Sequence, residues 1–159
     1  MSYQSILVAL DGSSQGKIIF EKALELAKKN NAKMMLFHCL PFEQPEMAPY
    51  SDLYGQNLAN FSRMMQESLV ESEKDARQWL EAYRDRAIAR NIQTEWTWKI
   101  GEAGKCICEI ANNWNADLIV VGRRGRQGIA EVFLGSVSNY VIHRASCSVL
   151  VVQGITASE

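Results

Sequence analysis

The chain has 159 residues, enough for one domain with a sizeable core, and 47% of them are hydrophobic against 22% charged, an ordinary globular balance. Its formal net charge of −1 supplies no general attraction to nucleic acid or to an anionic membrane. No segment is long and apolar enough to span a bilayer, and the run Ile6 to Leu10 lacks the basic flank and length of a signal peptide.

A single cytoplasmic domain over residues 1–159 is therefore expected, with neither nucleic acid nor membrane as partner. Tyr3 to Leu10 holds Ile6-Leu-Val-Ala-Leu10, a buried strand that ends at Asp11-Gly12-Ser13-Ser14. Ser13 or Ser14 is a good N-cap for the helix that follows. Lys17 to Lys29 carries Ile19, Ala23, Leu26 and Ala27 at helical spacing, with lysines near its end, and Asn30-Asn31 stops it. Lys33 to Leu40 is a second strand, apolar on both faces through Met34, Met35, Leu36 and Phe37, as suits a parallel sheet covered by helices. Pro41 to Asn57 holds all three prolines and is too irregular for a regular element.

Leu58 to Arg90 is a long helical stretch with Met65, Leu69, Ala76, Leu80, Tyr83 and Ala87 on one face. Ile92 to Ile100 alternates apolar and polar residues as a third strand, with Trp96 and Trp98 together on the side that packs against a helix. Gly101-Glu-Ala-Gly104-Lys105 opens a helix that runs to Trp114. It is too short for a phosphate-binding P-loop, and Cys106 stands where Ser or Thr would bind magnesium. Leu118 to Val121 is the fourth strand and Ser148 to Gln153 the fifth. Cys39, Cys106, Cys108 and Cys147 have no disulfide-framework spacing, and with only His38 and His143 a zinc site of usual composition is not expected. The cysteines read as buried and reduced.

Between the last two strands lie Gly122, Gly125 and Gly128, then Gly135-Ser136-Val137-Ser138, then a short helix through Arg144. Strand, glycine loop and helix N-terminus together can make an anion site, because glycines let the backbone approach a phosphate and unpaired helix N–H groups point at it. Ser136 and Ser138 can cap the helix or donate to phosphate oxygens. A glycine-rich connection with a serine cap is the plainer alternative. Arg123, Arg124 and Arg126 form a basic cluster, either a solvated loop edge or a partner for phosphate.

Strands and helices alternate throughout, which argues a doubly wound α/β sheet with helices on both faces. Ligands in such sheets bind beyond the carboxyl ends of strands where the winding reverses. Asp11 and Gly122 each follow a strand, so they face one crevice if those strands are neighbours.

Gly122-x-x-Gly125, nine residues, then Gly135-Ser136 resembles the nucleotide-binding signature of the universal stress protein family. Val8-Ala-Leu-Asp11, Leu36-Phe-His-Cys39 and Ser148-Val-Leu-Val-Val152 resemble its first, second and last strands. The resemblance implies a five-stranded parallel sheet ordered 3-2-1-4-5 and binding of ATP or another adenine nucleotide, with or without Mg²⁺. It implies that Ala9, Asp11 and the backbone at Cys39 meet the nucleoside. Gly122, Arg123 and Gly125 would approach ribose and phosphates, and Gly135, Ser136, Val137 and Ser138 would hold the phosphates. Cys39 departs from a position that is often aliphatic in the family, which a backbone contact tolerates.

A nucleotide-dependent switch or partner-binding module is the function this implies, with the protein partner unspecified. Slow ATP hydrolysis or autophosphorylation on Ser136 or Ser138, and a dimeric adaptor that does not use nucleotide, are the alternatives. No general base for attacking water is visible. Gly12-Ser13-Ser14-Gln15-Gly16 fits a nucleophile-elbow pattern with His38 as an imaginable base, but the chain is short for that hydrolase fold. Ser148 to Gln153 carries neither charge nor proline against edge pairing, so a homodimer through this last strand is expected.

Overall fold

The chain alternates strand and helix from end to end: β1 (Ser5–Ala9), α1 (Ser14–Asn30), β2 (Lys33–Leu40), α2 (Gln56–Ala89), β3 (Thr94–Ile100), α3 (Ala103–Trp114), β4 (Leu118–Gly122), α4 (Ser136–Arg144) and β5 (Ser148–Val152). The computed structural model describes residues 2–41, 56–123 and 134–154. The five strands form one parallel sheet in the order β3-β2-β1-β4-β5. This is the doubly wound fold and strand order expected.

Alternation along each strand divides the apolar residues between two faces. Ile6, Val8, Met34 and Leu36 pack with Phe20, Leu24, Ala76 and Leu80, so α1 and α2 cover one face. Leu7, Met35, Phe37, Ile119 and Val121 pack with Ile107, Ala111 and Val141, so α3 and α4 cover the other. Phe20 and Leu80 are fully buried, and each such side chain contributes about 1.5–3 kcal/mol relative to exposure.

The helix termini share a device. In α1, α2 and α3 the chain turns through a left-handed asparagine, Asn31, Asn91 or Asn115, at φ 55°, 63° and 58°. Each time the next residue donates its N–H to an alanine carbonyl five positions back: Ala32 to Ala27, Ile92 to Ala87, and Ala116 to Ala111, at 2.8–3.1 Å. This closes the helix end and aims the chain into the following strand.

At the start of the sheet, Asp117 ties β4 to β1. Its carboxylate accepts from the N–H of Gln4 and Ser5 at 2.8 and 3.1 Å, and its own N–H donates to the Ser5 carbonyl.

Three expectations shift. The last helix begins at Ser136 rather than Asn139, so the serines form its first turn. Leu69, assigned to the packed face of α2, is 38% exposed and lines a cavity beside the ends of β2 and β3. Most of the Pro41–Asn57 segment lies outside the described residues.

Candidate functional site

The site grows out of the reversal in winding. From β1 the chain steps outward through β2 to β3, then returns to place β4 on the other side of β1. The helices leaving β1 and β4 therefore diverge to opposite faces and open a crevice at the strands' carboxyl ends.

Ala9 and Asp11 from β1 and its exit, Cys39 from β2, Gly122 from β4, and Gly135, Ser136, Val137 and Ser138 at the start of α4 line one crevice of about 120 Å³. Sequence reasoning missed its α3 wall, where Ala103 and Ile107 face the same space. No local motif marks those two residues; they arrive because α3 packs across the end of β2. Gly125, together with Gly128, Arg124 and Arg126, lies outside the described residues.

Asp11 is held in a fixed turn. Its Oδ1 accepts the Ser13 N–H at 2.9 Å, and Gly12 between them sits at φ 80°. Ser13 occupies the N-cap position of α1 without a side-chain cap bond, so the Asp11 carboxylate serves this turn where a serine hydroxyl was expected.

The start of α4 is organised around the Arg123 carbonyl, which accepts the Gly135 N–H at 2.8 Å and the Ser138 hydroxyl at 3.2 Å. The Ser138 Oγ also lies 3.0 Å from the Gly135 carbonyl. Ser138 is 1% exposed, so its hydroxyl is committed to closing this turn. Asn139 is the first α4 residue whose N–H reaches a helical carbonyl, that of Gly135 at 2.9 Å. The N–H groups of Ser136, Val137 and Ser138 precede it, and a helix has no internal acceptor for them. Together they form the positive end of the helix dipole at the crevice wall. The Arg123 guanidinium donates to Gln153 Oε1 at 3.0 Å, beside the crevice.

Cys39 closes the β2 side of the crevice. Its thiol donates to the Gly101 carbonyl at 3.3 Å. Burial, reinforced by the neighbouring Cys106, pushes its pKa up to about 12.

His38, one residue earlier, faces the opposite side of the sheet. Its Nδ1 donates to the Leu10 carbonyl at 2.8 Å, and its ring meets the Trp79 ring edge-on at 4.9 Å. It thus packs as a core histidine next to α2, while Ser14 opens α1. That side holds a larger cavity of about 440 Å³ between α2 and the ends of β2 and β3, and Asp11 borders both spaces. The larger one has Asp11 and Asp75 in its lining and no lysine or arginine among the described residues. Among the described residues it presents no cation to a phosphate, whereas the smaller crevice includes a helix N-terminus.

The universal stress protein family model matches residues 2–153. Universal stress protein Sll1388 of Synechocystis sp. is 44% identical over 153 residues, covering 96% of this chain and 99% of the relative. Universal stress protein A homolog 2 of Coxiella burnetii is 34% identical, with 96% of each chain covered. Among solved structures, UspA from Lactobacillus plantarum superimposes with a TM-score of 0.80 at 20% identity, over 96% of this chain and 99% of that one. A universal stress protein solved in complex with cAMP gives 0.69 at 27% identity, over 98% of this chain and all of the other. Family model, sequence relatives and strand order agree along nearly the whole chain, and this protein belongs to the universal stress protein family.

Proposed function

We propose that this protein binds an adenine nucleotide in the crevice between β1 and β4 and acts as a nucleotide-dependent partner-binding module. The observation that carries this reading is the first turn of α4. Three N–H groups at a helix N-terminus stand across one crevice from a turn-held carboxylate, Asp11. The first favours phosphate, and the second can accept from a ribose hydroxyl or an exocyclic amine. The solved relative in complex with cAMP supports the same ligand class.

In this reading Ala9, Asp11 and the Cys39 backbone meet the nucleoside. Gly122, Gly125, Gly135 and the Ser136–Ser138 turn approach ribose and phosphates. Arg123 or a bound Mg²⁺ takes part of the charge of an ATP. The Ser136 hydroxyl is the side-chain donor at the phosphates, since that of Ser138 is engaged with backbone carbonyls. The active form is a homodimer joined along β5.

Calorimetric titration with ATP, cAMP, AMP and adenosine tests the assignment. Ser136→Ala is expected to weaken ATP by roughly tenfold to a hundredfold, the equivalent of about 1–3 kcal/mol for a bond to a charged phosphate, and to leave adenosine nearly unchanged. Asp11→Ala is expected to weaken both. Wild-type protein that takes none of the four ligands would defeat the reading. So would a Ser136→Ala variant that loses adenosine as strongly as ATP.

A further inference from the structure

Two of the four cysteines converge on Gly101, beside the crevice. Cys39, at the end of β2, is half-buried and lines the crevice. Its thiol lies 3.3 Å from the Gly101 carbonyl. Cys106, in α3, is 7% exposed. It presses on the same glycine so closely that a Cβ built on Gly101 would stand 2.8 Å from its sulfur. Both sulfurs thus lie against one residue, Gly101. β2 and α3 come from distant parts of the chain, so this contact is a product of the fold. Each thiol has an apolar surround, Cys106 in the core beneath α3 and Cys39 packed against it.

We propose that Cys39 and Cys106 are a redox modification site: oxidation by a hydroperoxide joins their sulfurs in an internal disulfide, and the disulfide form no longer accepts adenine nucleotide. The second half rests on the nucleotide reading above; the first half does not.

Cys39 reacts first because it borders the open crevice, with Cys106 behind it. Its thiolate attacks one peroxide oxygen, the O–O bond breaks, and the leaving hydroxide takes up the proton the thiol released on ionising, giving water and a sulfenic acid at Cys39. The Cys106 sulfur then attacks the sulfenic sulfur, the S–O bond breaks, and a second water carries away the remaining thiol proton. Two thiols and one hydrogen peroxide become one disulfide and two waters.

Bringing the two sulfurs to the S–S length of about 2.0 Å pulls α3 toward the end of β2. Ala103 and Ile107 on α3 are part of the crevice wall, so the space for a nucleoside narrows. A nucleoside seated against Cys39 would in turn shield its sulfur. The raised Cys39 pKa makes the thiolate scarce at neutral pH. Oxidation is therefore slow there, and its rate climbs about tenfold per pH unit until the thiol ionises.

The test uses ligand-free wild-type protein treated with equimolar hydrogen peroxide at pH 7 and pH 9, alkylated, and digested without reductant. The expected product is a cross-linked pair of peptides containing Cys39 and Cys106, lighter by two hydrogens, formed faster at pH 9 and reversed by dithiothreitol. Saturating ATP should slow it, and the oxidised protein should bind ATP at least tenfold more weakly than the reduced. Recovery of both residues as alkylated thiols, or of a cross-link between Cys108 and Cys147 alone, overturns the proposal without any variant. A Cys39–Cys106 cross-link in protein that still binds ATP like the reduced form overturns the linkage to nucleotide. If reduced protein binds no nucleotide, the functional reading fails, while peptide mapping still decides the disulfide.

Discussion

At the scale of single residues, one glycine decides how closely the two helices beside the site can approach. A Cβ built on Gly104, in α3, would lie 2.8–2.9 Å from the Cβ, Cγ and Cδ1 of Tyr140 in α4. Those atoms are the base of a side chain, so they cannot swing aside as the end of a lysine could. Gly104→Ala should force α3 and α4 apart and destabilise the protein by about 1–3 kcal/mol. Urea denaturation monitored by circular dichroism measures the cost. Adding Tyr140→Ala should recover part of it, since the clash partner is then gone. An unchanged midpoint for Gly104→Ala would mean that the helices have slack here. Strand parity acts at the same scale. Cys39 and His38 are neighbours in sequence, yet one lines the crevice and the other packs on Trp79 across the sheet.

At the scale of elements, the three left-handed asparagines explain how three successive helices stop and turn into strands. The pattern is an alanine, an asparagine four residues later, and then an apolar residue: Ala27, Asn31, Ala32; Ala87, Asn91, Ile92; Ala111, Asn115, Ala116. The alanine and the apolar residue bury the turn, while the asparagine adopts the positive φ that β-branched residues resist. Asn91→Val should therefore cost about 1–2 kcal/mol, while Asn91→Gly should lie within about 1 kcal/mol of wild type. Thermal melts of the two variants give the comparison. Equal losses for valine and glycine would assign the effect to the asparagine side chain and not to the backbone angle. The pattern was readable in advance at all three positions, but only Asn30-Asn31 stood out as a stop, because it is a doubled asparagine.

At the scale of the whole molecule, β5 forms an edge of the sheet, paired with β4 on one side only. Val149 and Val151 are half-buried, on the face shared with α3 and α4. An edge strand without charge or proline is a template for another strand. Twofold pairing of two such edges would satisfy both and cover the valines. Val151→Lys should shift sedimentation from dimer toward monomer while circular dichroism stays native. A dimer that survives this change would lie on another surface.

The sequence by itself determined which elements form and in what order. Local signals carry that information: apolar runs for strands, helical spacing of Ala and Leu, and glycine or asparagine at the turns. It also marked Asp11, Gly122 and the Gly135–Ser138 turn, because an acid after a strand and serines at a helix start are short-range patterns. The strand order 3-2-1-4-5 came from resemblance to a family, and the tertiary structure bears it out. What only the tertiary structure decided are relations between distant segments. It put Ala103 and Ile107 into the crevice wall, bound the Ser138 hydroxyl to the Arg123 carbonyl, and brought the Cys39 and Cys106 sulfurs against the same glycine, Gly101. The physical reason is that each depends on the distance between a helix and the strand ends it packs against. That distance is set by side-chain contacts from many parts of the chain, and no short stretch of sequence contains them.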